Sequence, residues 1–279
     1  MRRFHCGFVF LILIQPAFGV GLAASEQVQI VYLQQVDAAI REGRLTQAEL
    51  MIAKLDRSDG IAFSDDLALL KTEFAIARMD VTSAGIALSA IKDPARNTCR
   101  VHAAKGWVAA NQKDFDAAVS ALMVATKHCP EDAGNWNLLG LALIGRGEAS
   151  SAQKAFEQAI ALEPQNAQVM NNHALAALQG GAVDVALRGL DRAVAQNPHD
   201  TMIIANRNFV AGMAGVLPER ENGESNADWG AKLLQFARGA KLASRGPQAT
   251  ALFARAMLTL DRFDEGIWSE LYPAVERPR

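Results

Sequence analysis

The sequence has little of what a catalytic centre or a nucleic-acid interface requires. Its formal net charge is −2, from 28 Lys and Arg against 30 Asp and Glu, and no basic stripe breaks that balance. Nucleic-acid binding is therefore disfavoured. The five histidines are scattered, and no Ser, His and acid arrangement has a geometric rationale. No glycine-rich loop follows a strand, so we expect neither catalysis nor a cofactor.

Long apolar runs are also lacking. The run from Gly7 to Ile14 is roughly half of the ~20 residues that a membrane-spanning helix needs. Two arginines precede this run, Pro16 follows it, and small residues lead to position 25. This is the layout of a secretory signal peptide, and a single membrane anchor is the alternative. We expect residues 1–25 to be cleaved near Ala23 to Ser25 and the chain to be exported, most simply to a bacterial periplasm.

Cysteines are few, and the first of them does not fit a lipid attachment site. Cys6 lies early in the chain and lacks the Leu-(Ala/Ser)-(Gly/Ala) residues that lead into a lipoprotein site. We therefore predict no lipid anchor. Association with a membrane is expected only through partner proteins.

The sequence does contain an internal repeat, with adjacent units that begin at Ala133 and Ala167. In the first unit, positions 4, 7, 8, 11, 20, 24, 27 and 32 are Trp136, Leu139, Gly140, Leu143, Ala152, Phe156, Ala159 and Pro164. In the second unit the same positions are Met170, His173, Ala174, Ala177, Ala186, Leu190, Ala193 and Pro198. This period of about 34 residues and this order of small and large side chains resemble the tetratricopeptide repeat, which is a pair of antiparallel helices.

The repeat predicts the fold class. Small residues let helix backbones approach closely, large residues fill the space between helices, and proline ends the second helix. One such unit cannot bury its apolar face alone, so units stack. No window beyond position 25 alternates as a strand does. We therefore expect an all-α, right-handed α-solenoid of tetratricopeptide helical hairpins that binds other proteins.

The repeat also predicts how the chain is divided. Residues 26–98 are expected to form degenerate N-terminal hairpins, and residues 99–217 the core array. From Thr201 the pattern supplies one helix only, because Gly212, Gly215 and Pro218 end it. We interpret residues 218–228 as an exposed linker. Residues 229–279 are expected to form a C-terminal hairpin and a capping helix.

Two cysteines remain after the leader, at positions 1 and 31 of one repeat. In an antiparallel hairpin these ends lie side by side, so an oxidising compartment favours a Cys99–Cys129 disulfide. Free thiols are one alternative. The other is a zinc cluster with His102 and His128, but His128 and Cys129 are adjacent on a helix and point in different directions. We predict no metal site.

A candidate binding groove follows from position 9 of each first helix. Those positions are Trp107, Leu141, Leu175 and Phe209, and the neighbouring amides are Asn137, Asn171, Asn172 and Asn206. An apolar ladder flanked by amides can hold an extended segment or a helix of a partner protein. The alternative is that these apolar residues pack against neighbouring repeats and that the asparagines satisfy helix ends.

Two short runs carry a narrower resemblance. Residues 171–176 (NNHALA), and residues 229–233 (WGAKL) after a linker, look like the TadD-type proteins of the Flp/Tad pilus assembly system. That resemblance implies an envelope protein that helps to assemble the pilus secretion machine. Many members are outer-membrane lipoproteins, and this chain departs from them in lacking the lipid attachment motif. The alternatives are a periplasmic module for envelope or polysaccharide biogenesis, and a metal- or redox-active protein centred on Cys99 and Cys129.

Overall fold

The computed structural model describes residues 24–56, 64–260 and 265–271, which form α-helices and no β-strand. The first six helices are α1 (Ala24–Arg41), α2 (Leu45–Asp56), α3 (Ser64–Ala77), α4 (Val81–Ser89), α5 (Thr98–Asn111) and α6 (Phe115–His128). The others are α7 (Ala133–Gly145), α8 (Ala149–Leu162), α9 (Ala167–Gln179), α10 (Val183–Gln196), α11 (Thr201–Ala214), α12 (Asn226–Leu242), α13 (Gly246–Leu260) and α14 (Glu265–Leu271). A 3-10 turn, Pro94–Asn97, precedes α5. The predicted all-α solenoid of helical hairpins is confirmed. The predicted signal peptide lies outside the described residues, apart from positions 24 and 25.

Short polar side chains start the helices at the spacing of the repeat. Asp132, Asn166 and Asp200 cap the first helices α7, α9 and α11, and each side chain accepts a backbone N–H of the first turn at 3.0–3.2 Å. Asp80 and Asp114 cap the second helices α4 and α6 at 2.9 and 3.0 Å. Such caps satisfy backbone donors that have no partner inside the helix. The capping residues therefore recur with the same 34-residue period as the core positions.

In the hairpins α5–α6 and α7–α8 a glycine of the first helix faces a large residue of the second. A Cβ placed on Gly140 would lie 2.5 Å from Phe156 Cε1, and one placed on Gly106 would lie 2.4 Å from Leu122 Cγ. Phe156 and Leu122 are both fully buried. Burying a side chain of this size contributes about 1.5–3 kcal/mol, and in these two hairpins the glycines leave room for it.

The core continues from one hairpin to the next. Around α7 and α8, the buried cluster takes in Val119 and Leu122 from α6 on one side and Val169 and Ala176 from α9 on the other. The α7–α8 hairpin thus does not close its own apolar face. Stacking is therefore the way in which each unit removes its remaining apolar surface from water.

The helix α11 packs against α12, which follows it after a longer connection than those within the other repeats. Residues 215–225 carry no helix, and α12 begins at Asn226, so the end of the expected linker is helical. The backbones of α11 and α12 touch at two glycines. A Cβ on Gly239 would lie 1.8 Å from the carbonyl oxygen of Phe209, and one on Gly212 would lie 2.1 Å from that of Phe236. The same α12 also packs on α13, where Trp229, Leu233 and Phe253 are buried together with Ile267 of α14.

Candidate functional site

The surface that we call the inner surface is lined by the first helices α1, α3, α5, α7, α9 and α11. Solenoids of stacked hairpins bind partners along such a concave surface. The predicted groove residues all belong to α5, α7, α9 and α11. The inner surface is therefore the place to look for a functional site.

A chain of side-chain amides crosses three first helices on this surface. Asn206 Nδ2 donates to Asn171 Oδ1 at 2.8 Å, Asn171 Nδ2 donates to Asn172 Oδ1 at 3.2 Å, and Asn172 Nδ2 donates to Asn137 Oδ1 at 2.9 Å. Asn171 and Asn172 are 2% and 6% exposed, whereas Asn137 and Asn206 are half-buried. An amide has both donors and acceptors, and buried polar groups need partners. The chain therefore ties α7, α9 and α11 to one another.

The predicted asparagines bond mainly to one another and not to helix ends. The two central asparagines turn toward each other and toward neighbouring repeats, so much of their hydrogen-bonding capacity is used inside the protein. They do not serve as helix caps, a role that Asn166 and Asp200 fill. A separate amide pair, which the repeat pattern did not indicate, joins α11 to α12: Asn208 Nδ2 donates to Gln235 Oε1 at 2.8 Å.

The apolar residues at position 9 differ in exposure. Leu141 is 40% exposed, and Leu175 is half-buried. Phe209 is half-buried and packs against the α9–α10 core. Trp107 is only 9% exposed and packs with Ala75, Ala84 and Val108, although its side chain also lines a cavity on the inner surface. Of these four residues, Leu141 offers the largest exposed fraction.

An ion cluster that the repeat pattern did not indicate joins the first helices of the N-terminal half. Arg100 of α5 donates from Nε to Glu73 Oε1 of α3 at 2.7 Å and from Nη2 to Asp37 Oδ1 of α1 at 2.6 Å. The same Nη2 contacts Glu73 Oε2. Arg41 pairs with the other oxygen of Asp37 at 2.9 Å. Glu73 lies one 34-residue period before Trp107, so the register puts it on the same helix face as the predicted groove residues, but the register alone does not pair it with Arg100.

The electrostatics of this cluster keep Arg100 charged. Burial of the guanidinium lowers its pKa, but the hydrogen bonds and charges of Glu73 and Asp37 outweigh that effect and leave the pKa above its ordinary value. Both carboxylates thus have a permanent counter-ion. The cluster fixes the relative positions of α1, α3 and α5.

Two cavities open on the inner surface beside Arg100. One of about 300 Å³ lies between α1 and α3, with Leu33, Leu69 and Leu70 in its wall. The other, of about 420 Å³, extends from α1 to α7 and is lined by Trp107 and Leu138. Arg100 belongs to the wall of both. Volumes of this size suit one or a few side chains of a ligand.

The two cysteines of the described chain meet at the open end of the α5–α6 hairpin. Their sulfur atoms are 2.30 Å apart and their Cα atoms 5.9 Å apart. Asn135 Nδ2 of α7 donates to Cys99 Sγ at 3.3 Å, which links this hairpin to the next. A Cα separation of this size suits a disulfide bond.

The alternative zinc cluster finds no support in the geometry. In residues 24–56, 64–260 and 265–271 there is no group of three or more His, Cys, Asp and Glu side chains that could hold a metal ion. His102 lies on α5, and its buried Nδ1 has no hydrogen-bond partner among the residues that the structure describes. Burial lowers the pKa of His102, and the charges of Lys105 and His128 lower it further.

In residues 24–56, 64–260 and 265–271, every helix is too short or too polar to pass through a bilayer.

The fold and the repeated hairpins together define a tetratricopeptide-type solenoid. A family model described as the tetratricopeptide repeat matches residues 133–166, which are the α7–α8 hairpin and the turn after it. No curated protein sequence matches the chain.

Solved structures give the same answer about the fold. A tetratricopeptide repeat protein from Parabacteroides merdae is 13% identical, with a TM-score of 0.53 over 88% of this chain and 98% of that one. The pilF protein of Pseudomonas aeruginosa is 17% identical, with a TM-score of 0.52 over 91% of this chain and 96% of that one. MamA of AMB-1 is 23% identical over 61% of this chain and 98% of that one, with a TM-score of 0.47. At these identities the first two likenesses show the fold alone.

Proposed function

We propose that the chain is a non-catalytic scaffold that binds protein partners along its inner surface. The observation that carries this proposal is the pair of cavities beside Arg100, which only residues of first helices and their caps line. A stacked solenoid presents such a surface at little conformational cost, because its side chains are already held by neighbouring repeats. Leu141 supplies an exposed apolar contact further along the same surface.

We further propose that the protein works in the periplasm, in the assembly of a Flp/Tad-type pilus or secretion apparatus. The support is the resemblance of residues 171–176 and 229–233 to TadD-type proteins, together with the leader-like residues 1–25. A Cys99–Cys129 disulfide would suit that compartment, since disulfides persist in oxidising surroundings. The second proposal, a module for envelope or polysaccharide biogenesis, differs from the pilus proposal only in the protein that is bound.

Photo-crosslinking in the native envelope tests the scaffold proposal. A photoreactive residue is placed at Leu141 on the inner surface, and in a control protein at Met123, which is 60% exposed on the second helix α6. We expect a pilus or secretion component to be captured from Leu141 and not from Met123. Capture of a polysaccharide-export protein from Leu141 would instead support the role in envelope or polysaccharide biogenesis. Equal capture from both positions, or none from either, would contradict inner-surface binding.

A further inference from the structure

The helices α7, α9 and α11 present no charged side chain on the inner surface. Their only ionisable residues are Arg207 and His173. Arg207 Nε donates to Asp191 Oδ1 of α10 at 2.9 Å, and His173 Nε2 lies 3.8 Å from Glu157 Oε1 of α8. Both side chains therefore turn toward second helices. We call the part of the inner surface on α7, α9 and α11, along which the amide chain runs, the neutral stretch.

The absence of charge limits what the neutral stretch can bind. The carboxylates of the caps Asp132 and Asp200 lie at the starts of α7 and α11, where they accept backbone N–H groups. A charged group brought onto the neutral stretch would lose water without gaining a counter-ion, which costs free energy. The neutral stretch therefore favours an uncharged partner surface.

A row of apolar side chains follows the amide chain. Each lies one helical turn after an asparagine of that chain, at Leu141 after Asn137, at Leu175 after Asn171 and at Phe209 after Asn206. Residues three or four apart share a helix face. Leu141 is 40% exposed, and the other two are half-buried. An apolar row that remains in contact with water is a surface that a partner can cover.

The hydrogen bonds of the amide chain favour a helix over an extended segment. Asn171 Oδ1 accepts from Asn206, and Asn172 Oδ1 accepts from Asn171 at 3.2 Å and from Gln168 Nε2 at 3.3 Å. The central asparagines thus have little capacity left for the backbone of a partner. An extended segment needs such partners for its own N–H and C=O groups, whereas a helix bonds them internally.

The spacing of the row also fits a helix. Packed helices lie about 8–10 Å apart, so Leu141, Leu175 and Phe209, which occupy the same position of α7, α9 and α11, recur at about that interval. In an α-helix, residues seven apart lie on nearly the same face and about 10.5 Å apart. An extended strand returns to the same face every ~6.8 Å, which does not match.

We propose that the neutral stretch receives the uncharged, apolar face of one partner helix that lies across α7, α9 and α11. Three apolar side chains of that helix, seven residues apart, meet Leu141, Leu175 and Phe209 in turn. The proposal rests on the proposed function, because the helix belongs to the partner that the inner surface binds. It adds the shape and the chemistry of the bound segment.

Selection from a library of displayed helical peptides tests this proposal. The peptides have about 22 residues, or about 33 Å as a helix, which is enough to cross three first helices. One face is randomised to all amino acids, and the opposite face is fixed as Ala, Gln, Lys and Glu. Peptides are selected on the wild-type protein, and those that also bind Leu141→Glu are removed. The control variant is Met123→Glu, the same new charge at a position that is 60% exposed on α6.

We expect the selected peptides to carry apolar residues at positions seven apart and no charge on the randomised face. In a fluorescence anisotropy titration, Leu141→Glu should bind them about tenfold more weakly and Leu141→Ala about threefold more weakly. Met123→Glu should bind as the wild type does. A proline placed on the fixed face, at the centre of a selected peptide, should weaken binding at least about tenfold, because it breaks the helix.

Charged residues on the selected face, full tolerance of the central proline, no enrichment, or equal losses from Leu141→Glu and Met123→Glu would overturn the proposal. Sedimentation of the protein alone tests whether a second copy occupies the neutral stretch instead. A dimer that Leu141→Glu dissociates would overturn it too. Photo-crosslinking from Leu141 captures a partner of any chemistry, so the scaffold proposal stands or fails by that separate result.

Discussion

Asn172 on α9 donates its side-chain N–H to the side-chain oxygen of Asn137 on α7 at 2.9 Å, across the boundary between two adjacent repeats. The same relationship, with the same offset in sequence, joins Asn206 to Asn171 at 2.8 Å. Stacking in the centre of this solenoid is thus held by repeated polar contacts in addition to apolar ones.

Replacing Asn172 by alanine should destabilise the protein by about 2 kcal/mol. Asn172 is 6% exposed, and its loss leaves the Nδ2 of buried Asn171 and the Oδ1 of half-buried Asn137 without this partner. The matched change Asn206→Ala also takes a partner from Asn171, but it removes a half-buried side chain, so water can enter and donate to Asn171 Oδ1, and the cost should be smaller. Urea unfolding followed by circular dichroism measures both. Equal losses for the two variants would show that the buried amides contribute no more than the half-buried ones.

Gly239→Ala should separate α11 from α12. Its Cβ would lie 1.8 Å from a backbone carbonyl, which cannot move aside as a flexible side chain can. The contrasting change is Gly85→Ala in α4, where the nearest atom to a new Cβ is 3.9 Å away. There alanine should stabilise by up to about 1 kcal/mol through helix propensity. Thermal unfolding should thus shift in opposite directions for the two variants, and a stabilising Gly239→Ala would contradict the close approach.

We predict a disulfide between Cys99 and Cys129 when the protein is produced in an oxidising compartment. Residues 26–279, denatured without reductant, should show no free thiol, and a result of two free thiols would exclude the bond. Cys99→Ser/Cys129→Ser should lower stability by about 3 kcal/mol, because the bond restricts the unfolded chain. Reductant should destabilise the wild type by a similar amount and leave the serine variant unchanged.

Arg100→Gln should cost about 2 kcal/mol of stability. It leaves two partly buried carboxylates, those of Asp37 and Glu73, without their shared counter-ion. Arg44→Gln serves as a control, because Arg44 and its partner Glu42 are 43% and 61% exposed and such surface pairs contribute little. Urea unfolding compares the two variants. A loss from Arg44→Gln as large as that from Arg100→Gln would refute the special role of the cluster.

Acidification should destabilise the protein in part through His102. Burial, followed by the charges of Lys105 and His128, lowers its pKa below the ordinary value of 6.5. Below about pH 6.5 the unfolded state therefore binds a proton that the folded state resists, so stability falls as the pH falls. His102→Gln should reduce the difference between urea midpoints at pH about 7.5 and about 5.5. The variant His199→Gln, at an exposed histidine, should keep the wild-type difference between the two midpoints. If His102→Gln also kept that difference, His102 would not contribute to the loss of stability in acid.

The repeat pattern was sufficient to predict the central hairpins. It put Gly140 and Phe156 at a small and a large packing position, and the structure packs them against each other. It also ended α8 and α10 before Pro164 and Pro198, as the structure has them. The period was a reliable guide there because each contact recurs at a fixed register. It was a poor guide to the pairing of α11 with α12, where Gly212 and Gly239 make the contact after a longer connection.

By itself the sequence determined that the repeats are helical hairpins, where the second helices of the central repeats end, and which faces must be covered by a neighbour. These properties follow from local spacing and from apolar burial, which act through nearby residues. Only the tertiary structure decided that Asn171 and Asn172 bond to other amides, and that Arg100 draws Asp37 and Glu73 together between two cavities. From the sequence alone, a polar side chain on a helix face could pair with any of several polar residues on the neighbouring helices. The way in which the helices stack decides which of them it meets.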